Sequence, residues 1–186
     1  MIAICVGHSR PGDGGSLSVD GTCEHIFNSR IAALTASRLS QMGEACTMIA
    51  GYQGASYGAA MIWLAKRLTD IGASVAVELH FNDSDSSSAS GHQWLHWGRS
   101  ARSQRLARLL DGRMQAAFPT LPARGLVPVT MADRGGDFCR STPCPAVICE
   151  PFFGSNPADW ALMSTHQDRL AQVIADGLVD WMGGRS

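Results

Sequence analysis

Residues 74–81 read Ser-Val-Ala-Val-Glu-Leu-His-Phe, a short apolar run rich in β-branched residues that gives way to Asn82 and Asp83. Length and composition predict a buried strand, and alternation of side chains puts Glu78 and His80 on the same face near its exit. Working outward, comparable runs predict strands at 2–7, about 46–50, 93–97 and 146–150. Between them, apolar residues recur at helical spacing. Phe27, Ile31, Leu34 and Met42 do so over 24–42, and Leu106, Leu109, Leu110, Met114 and Phe118 over 102–118. Leu170, Val173, Ile174, Leu178 and Trp181 predict a last helix over about 164–182, and another fits 57–72. Strands alternating with helices predict an α/β fold: a single domain with a twisted, mostly parallel or mixed sheet of about five to six strands and helices on both faces.

The 186 residues match one domain in length, with no internal repeat or linker. Fifteen Lys and Arg against sixteen Asp and Glu leave a net charge of −1, which excludes a global basic field for nucleic acid. A hydrophobic content of 45% excludes a disordered chain, and no window approaches the roughly 20 apolar residues of a membrane span. The opening Met-Ile-Ala-Ile-Cys-Val-Gly-His lacks a basic leader and reads as a first strand, so no signal peptide is expected. Synthesis in the cytoplasm, with no stable membrane association, follows as an expectation. Cysteines 5, 23, 46, 139, 144 and 149 contain no CxxC pair, which disfavours a zinc ribbon. Reduced thiols are expected, a Cys139–Cys144 bridge being the alternative outside the cytoplasm.

Two stretches stand apart. Residues 83–91, Asp-Ser-Asp-Ser-Ser-Ser-Ala-Ser-Gly, form a polar loop between strands, read as a surface connection or as a substrate rim. Residues 99–113 carry five arginines against Asp111 alone. A solvated helix face explains them, and attraction to an anionic polymer is the alternative.

Chemistry-bearing residues are scarce: six histidines and four glutamates. His8 ends the first strand, His80 lies at the end of the third, Glu150 ends the last before Pro151, and Glu24 opens the first long helix, where Thr22 is the expected N-cap. Functional groups of α/β sheets gather outside the carboxyl ends of the strands. These four therefore have the placement to converge on one ion, and zinc hydrolysis needs about three imidazole or carboxylate ligands, an open position for water and a nearby base. Taken singly, each has another explanation. A strand-end histidine is often a surface residue, Glu24 suits the helix macrodipole, and Glu150 suits a solvated strand end. His25 points about 100° away from Glu24 around the helix, and it is read, with His92, His96 and His166, as not ligating.

Beyond these positions, five segments in order resemble a known family. They are Val6-Gly7-His8 with Gly12-Asp13-Gly14-Gly15, then Glu24-His25-Ile26-Phe27-Asn28, then Glu78-Leu79-His80-Phe81-Asn82, then Arg124-Gly125-Leu126, and finally the run from Pro145 to Asp159. The sequence resembles the zinc-dependent N-acetylmuramoyl-L-alanine amidases of bacterial cell-wall hydrolases and phage endolysins. The resemblance implies one Zn²⁺ held by His8, Glu24 and His80, with Glu150 as the catalytic glutamate. It implies hydrolysis of the amide between N-acetylmuramic acid and L-alanine in peptidoglycan. The expected absence of a signal peptide and of a separate wall-binding domain favours an endolysin that acts on the wall after release, with a monomer as the expectation. Two departures stand out: Ser9-Arg10-Pro11 is inserted after His8, and Glu78 stands where serine is common.

Glu78 is a candidate to orient a ligand, Asn82 and Asn156 to brace loops around the pocket, and Arg140 to stabilise the oxyanion. The alternatives are another zinc amide hydrolase or carboxypeptidase acting on peptidoglycan peptides, and a non-catalytic peptidoglycan-binding domain.

Overall fold

The computed structural model describes residues 1–184. In chain order the elements are β1 (Ile2–Val6), α1 (Glu24–Gln41), β2 (Cys46–Ile49), α2 (Tyr57–Asp70), β3 (Val75–Leu79), β4 (His92–Trp97), α3 (Ala101–Ala117), β5 (Ala123–Val129), α4 (Gly136–Ser141), β6 (Ala146–Glu150), α5 (Pro157–Thr165) and α6 (Gln167–Gly183). The six strands form one sheet in the order β2-β1-β3-β6-β4-β5. All neighbours are parallel except β4 and β6.

Alternation along the buried strands divides the core in two. Ile2, Ile4 and Val6 of β1, Val75, Val77 and Leu79 of β3, and Val147 and Cys149 of β6 face α1, α3, α5 and α6. Ala3, Cys5, Ala76, Ala146 and Ile148 face the other way, against Met61, Leu64 and Leu68 of α2 and Phe138 of α4. A sheet buried on both faces explains why its central strands read as continuous apolar runs. An aromatic cluster of Phe27, Phe81, Phe152 and Trp160, with ring centroids 5.2–6.2 Å apart, supports the first turn of α1 and the turn after β6. No helix among the described residues is long and apolar enough to cross a membrane.

Three elements depart from the sequence reading. β5 is an edge strand interrupted by Gly125 and Pro128, residues that weaken a strand pattern and that only an edge tolerates. α4 has only six residues, too short to show a period. The helix expected over about 164–182 is α6, which starts at Gln167, whereas α5 before it was not expected. α5 begins where the Asn156 side chain accepts from the backbone N–H groups of Ala158 and Asp159, with Pro157 in its first turn.

The cap of α1 also differs. Its N-cap is Cys23, which makes no side-chain capping bond. The N–H groups of Glu24 and His25 instead donate to the carbonyls of Ser16 (2.9 Å) and Gly14 (3.1 Å). The glycine-rich loop after β1 thus caps α1 with its own backbone and docks Glu24 beside His8. Cys5, Cys23, Cys46, Cys139 and Cys149 are free thiols, and Cys5, Cys139 and Cys149 are buried in the core.

Candidate metal centre and active site

β1 has β2 on one side and β3 on the other, so the chain reverses its direction of winding there. Crevices of α/β sheets open at such switch points. His8 leaves the end of β1, His80 the end of β3, and Glu150 ends β6, the strand paired with β3. With Glu24 from the first turn of α1 they line one cavity of about 830 Å³.

Two glycines make this convergence possible. A Cβ on Gly7 would lie 2.1 Å from the nearest atom of the His80 ring, far inside van der Waals contact. One on Gly15, whose φ is +72°, would lie 2.6 Å from Glu24 Oε2 and 2.8 Å from the His8 ring. His8 itself has φ +53°, the one non-glycine in the left-handed region among the described residues. Such a conformation persists where surrounding contacts over-determine it. Here Asp13 Oδ1 holds His8 Nδ1 at 2.8 Å and also accepts from Gly15 N–H at 3.2 Å.

Glu24 is 2% exposed, and both its oxygens are engaged. Oε1 lies 2.9 Å from His80 Nδ1 and accepts from Phe81 N–H at 3.1 Å. Oε2 accepts from Ser16 N–H at 3.0 Å and lies 3.5 Å from His8 Nε2. Burial alone would raise its pKa, but His80, His8 and the Ser16 N–H together hold it below the usual carboxylate range. At His80 burial opposes the charged form, and the hydrogen bonds to Glu24 and Glu78 with the charges of Glu78 and Glu150 outweigh it, raising the pKa well above its ordinary value. One donor atom from each of His8, Glu24 and His80 lies within 4.8 Å of the others.

Glu150 stands differently. Its Oε2 is buried without a hydrogen-bond partner. Burial pushes its pKa up to about 7; the Glu24 and Glu78 charges add to this, and His80 opposes it. That is the range in which a carboxylate exchanges protons near neutral pH.

A family model described as N-acetylmuramoyl-L-alanine amidase matches residues 2–180. The chain belongs to that amidase family. No curated protein sequence matches it. Similar folds include the catalytic domain of CwlV, an N-acetylmuramoyl-L-alanine amidase from Bacillus (Paenibacillus) polymyxa, at 23% identity and TM-score 0.79, covering 98% of this chain and 99% of that one. The CwlD amidase of Clostridioides difficile, solved in complex with the GerS lipoprotein, is similar at 17% identity and TM-score 0.85, covering 98% of each chain. The catalytic domain of an endolysin targeting Clostridia difficile is similar at 20% identity and TM-score 0.78, covering 96% of each.

In this amidase the structure brings together His8, Glu24, His80, Glu150 and Glu78, and Asn82 lines the same cavity. Asn82 ties the exit of β3 to the turn after β6, its N–H donating to Phe152 O and its carbonyl accepting from Gly154 N–H, both at 2.8 Å. Asn156 caps α5 and donates from Nδ2 to Ser87 O at 3.0 Å. The 83–91 loop is therefore a pinned rim and not a plain surface connection. Ser90 Oγ and Gly91 N–H also donate to Asp159, and Ser84 N–H to Ser155 Oγ. Its Asp83, Ser84 and Asp85 line the cavity.

Arg140 is a correction. It is exposed, its guanidinium lies 5.9 Å from the centroid of the Trp97 ring, and it does not line the cavity. Arg134, six residues earlier, does. Three of the four arginines of α3 are engaged elsewhere: Arg113 makes two bonds to Asp180 at 2.7 and 2.9 Å, Arg102 covers Trp181, and Arg105 donates to Gly184 O. Sequence reasoning missed the roles of Asp13, Tyr52 and Arg134. For Asp13 the signal was present, a lone carboxylate in the glycine loop five residues after His8; for the other two only folding reveals the site.

Proposed function

We propose that the chain is a zinc-dependent amidase that cleaves the bond between the lactyl carbonyl of N-acetylmuramic acid and the amine of L-alanine in peptidoglycan. The observation that carries this reading is the convergence of His8, Glu24 and His80 in one cavity with Glu150, whose buried Oε2 has no hydrogen-bond partner. Two imidazoles and a carboxylate, with Glu78 and Glu150 close by and no lysine on the wall, form a donor set suited to a divalent cation. Bound zinc supplies a Lewis acid and a water of lowered pKa. Glu150 accepts a proton from the attacking water and returns it to the leaving nitrogen. The water oxygen joins the lactyl carbonyl carbon, the C–N bond breaks, and the products are a lactyl carboxylate and a free amine on alanine. Asn82 and the serine-rich rim hold the wall of the cavity against which the substrate lies. An endolysin-like role, with action on the wall after release, belongs to the same proposal, and it is supported by the fold shared with an endolysin catalytic domain.

The test is Glu150→Gln, assayed by turbidity loss of purified cell walls together with metal content. Loss of lysis with zinc retained is the expected result, and full lysis would remove Glu150 from the mechanism. New N-terminal alanine in the digest identifies the bond. Free amine on any other residue instead would assign the activity to another amide.

A further inference from the structure

The two histidines of the centre are held by opposite nitrogens. Asp13 occupies Nδ1 of His8, leaving Nε2 toward Glu24. At His80 the order is reversed: Nδ1 faces Glu24 at 2.9 Å, and Nε2 lies 3.3 Å from Glu78 Oε2. Glu78 is 3% exposed, and its other oxygen accepts the Tyr52 hydroxyl at 2.8 Å. Tyr52 is itself 3% exposed, in the segment between β2 and α2, and its backbone N–H donates to Ser9 Oγ at 3.3 Å. Ser9 follows His8 directly. One buried tyrosine thus ties the loop of the first histidine to the carboxylate beside the second. Both departures from the family pattern, the insertion beginning at Ser9 and the glutamate at 78, meet on it.

Resting on the zinc reading above, we propose that Tyr52 and Glu78 are a positioning pair that holds the proton of His80 on Nε2 and so leaves Nδ1 to the metal. The side of His80 facing Glu78 is closed, because one Glu78 oxygen is taken by Tyr52 and the other meets Nε2. The side facing Glu24 is shared with His8, so a cation there meets His8 Nε2, His80 Nδ1 and the Glu24 carboxylate together. A carboxylate on the far nitrogen of a ligating histidine fixes its tautomer and ring orientation and raises its basicity, and loss of such a partner typically costs about 10- to 100-fold in metal affinity. Glu78 has a second effect: its charge joins Glu24 and Glu150 in favouring a cation.

The experiment measures zinc affinity of the full chain by chelator competition, with the ¹⁵N–¹H histidine spectrum of the zinc-loaded protein. In the wild type, His80 is expected as the Nε2–H form with the metal shift on Nδ1, and His8 as the reverse. Glu78→Gln is expected to weaken zinc binding about 10- to 100-fold. Tyr52→Phe, which removes only a hydroxyl and keeps the fold testable if the first variant does not fold, is expected to weaken it by a smaller factor. The double variant should lose no more than Glu78→Gln alone, since the tyrosine acts through the carboxylate. Metal on His80 Nε2, or unchanged zinc affinity in Glu78→Gln or, if that variant does not fold, in Tyr52→Phe, overturns the pair and leaves the zinc reading standing. A wild type that binds no zinc overturns both.

Discussion

Two polar loops flank the site, and they are built on different principles. The glycine-rich loop, residues 7–16, sits inside the centre. Gly7 and Gly15 leave no room for a methyl group, and His8 takes a left-handed backbone locked by Asp13. The serine-rich loop, residues 83–91, sits at the rim and is held by separate hydrogen bonds to Ser155, Asn156 and Asp159. The first is set by steric exclusion, which fails all at once. The second is set by parallel bonds, which fail by degrees.

The sharpest way to break this contrast is Gly7→Ala. Its new methyl displaces the His80 ring, and a displacement of that size costs about 100-fold in kcat/KM. Zinc content should fall with the activity; a fully loaded, active Gly7→Ala enzyme would show that His80 is not held where the structure has it. Asp13→Ala comes next, expected to weaken zinc binding about 10- to 100-fold while the fold survives, as chelator competition and circular dichroism would report. On the rim, Asn156→Ala removes a helix cap and one loop bond, an expected loss of about 1–2 kcal/mol in denaturant unfolding, with KM moving more than kcat. Ser86→Ala, at the exposed tip, should change stability by less than about 0.5 kcal/mol.

The pH dependence tests Glu150, which belongs to neither loop. A base with a pKa of about 7 gives a rate that rises with pH through that value and falls roughly tenfold per unit below it. Its effect on stability has the opposite sign. Because folding raises this pKa from about 4.5, the metal-free protein holds the proton more tightly than the unfolded chain. That contribution is complete below the unfolded pKa and is lost as pH rises through about 7. Thermal melts of metal-free protein between pH 4 and 8 should show this decline, and Glu150→Gln should flatten it.

The central strands β1, β3 and β6 were legible because burial on both faces leaves uninterrupted apolar runs, and the long helices because one face of each is buried. β5 was not, since an edge strand accepts a glycine and a proline that a central one rejects. α5 was hidden because nine residues make too few turns to show an apolar period. That His8, Glu24, His80 and Glu150 line one cavity was legible from their places at element ends. Arg140 misled because it is close in sequence to the closing strand, whereas α4 carries its side chain to Trp97.

The sequence by itself determined the α/β class, the scarcity of possible donors and the four positions at which they leave their elements. Tertiary structure alone decided which nitrogen of each histidine turns inward. That choice depends on the partner of the other nitrogen, and the partners come from unrelated places: Asp13 five residues away, and Glu78 held by Tyr52 twenty-six residues earlier in the chain. A tautomer is set by a hydrogen bond, and a hydrogen bond across such distances exists only once the sheet has brought its strand ends together.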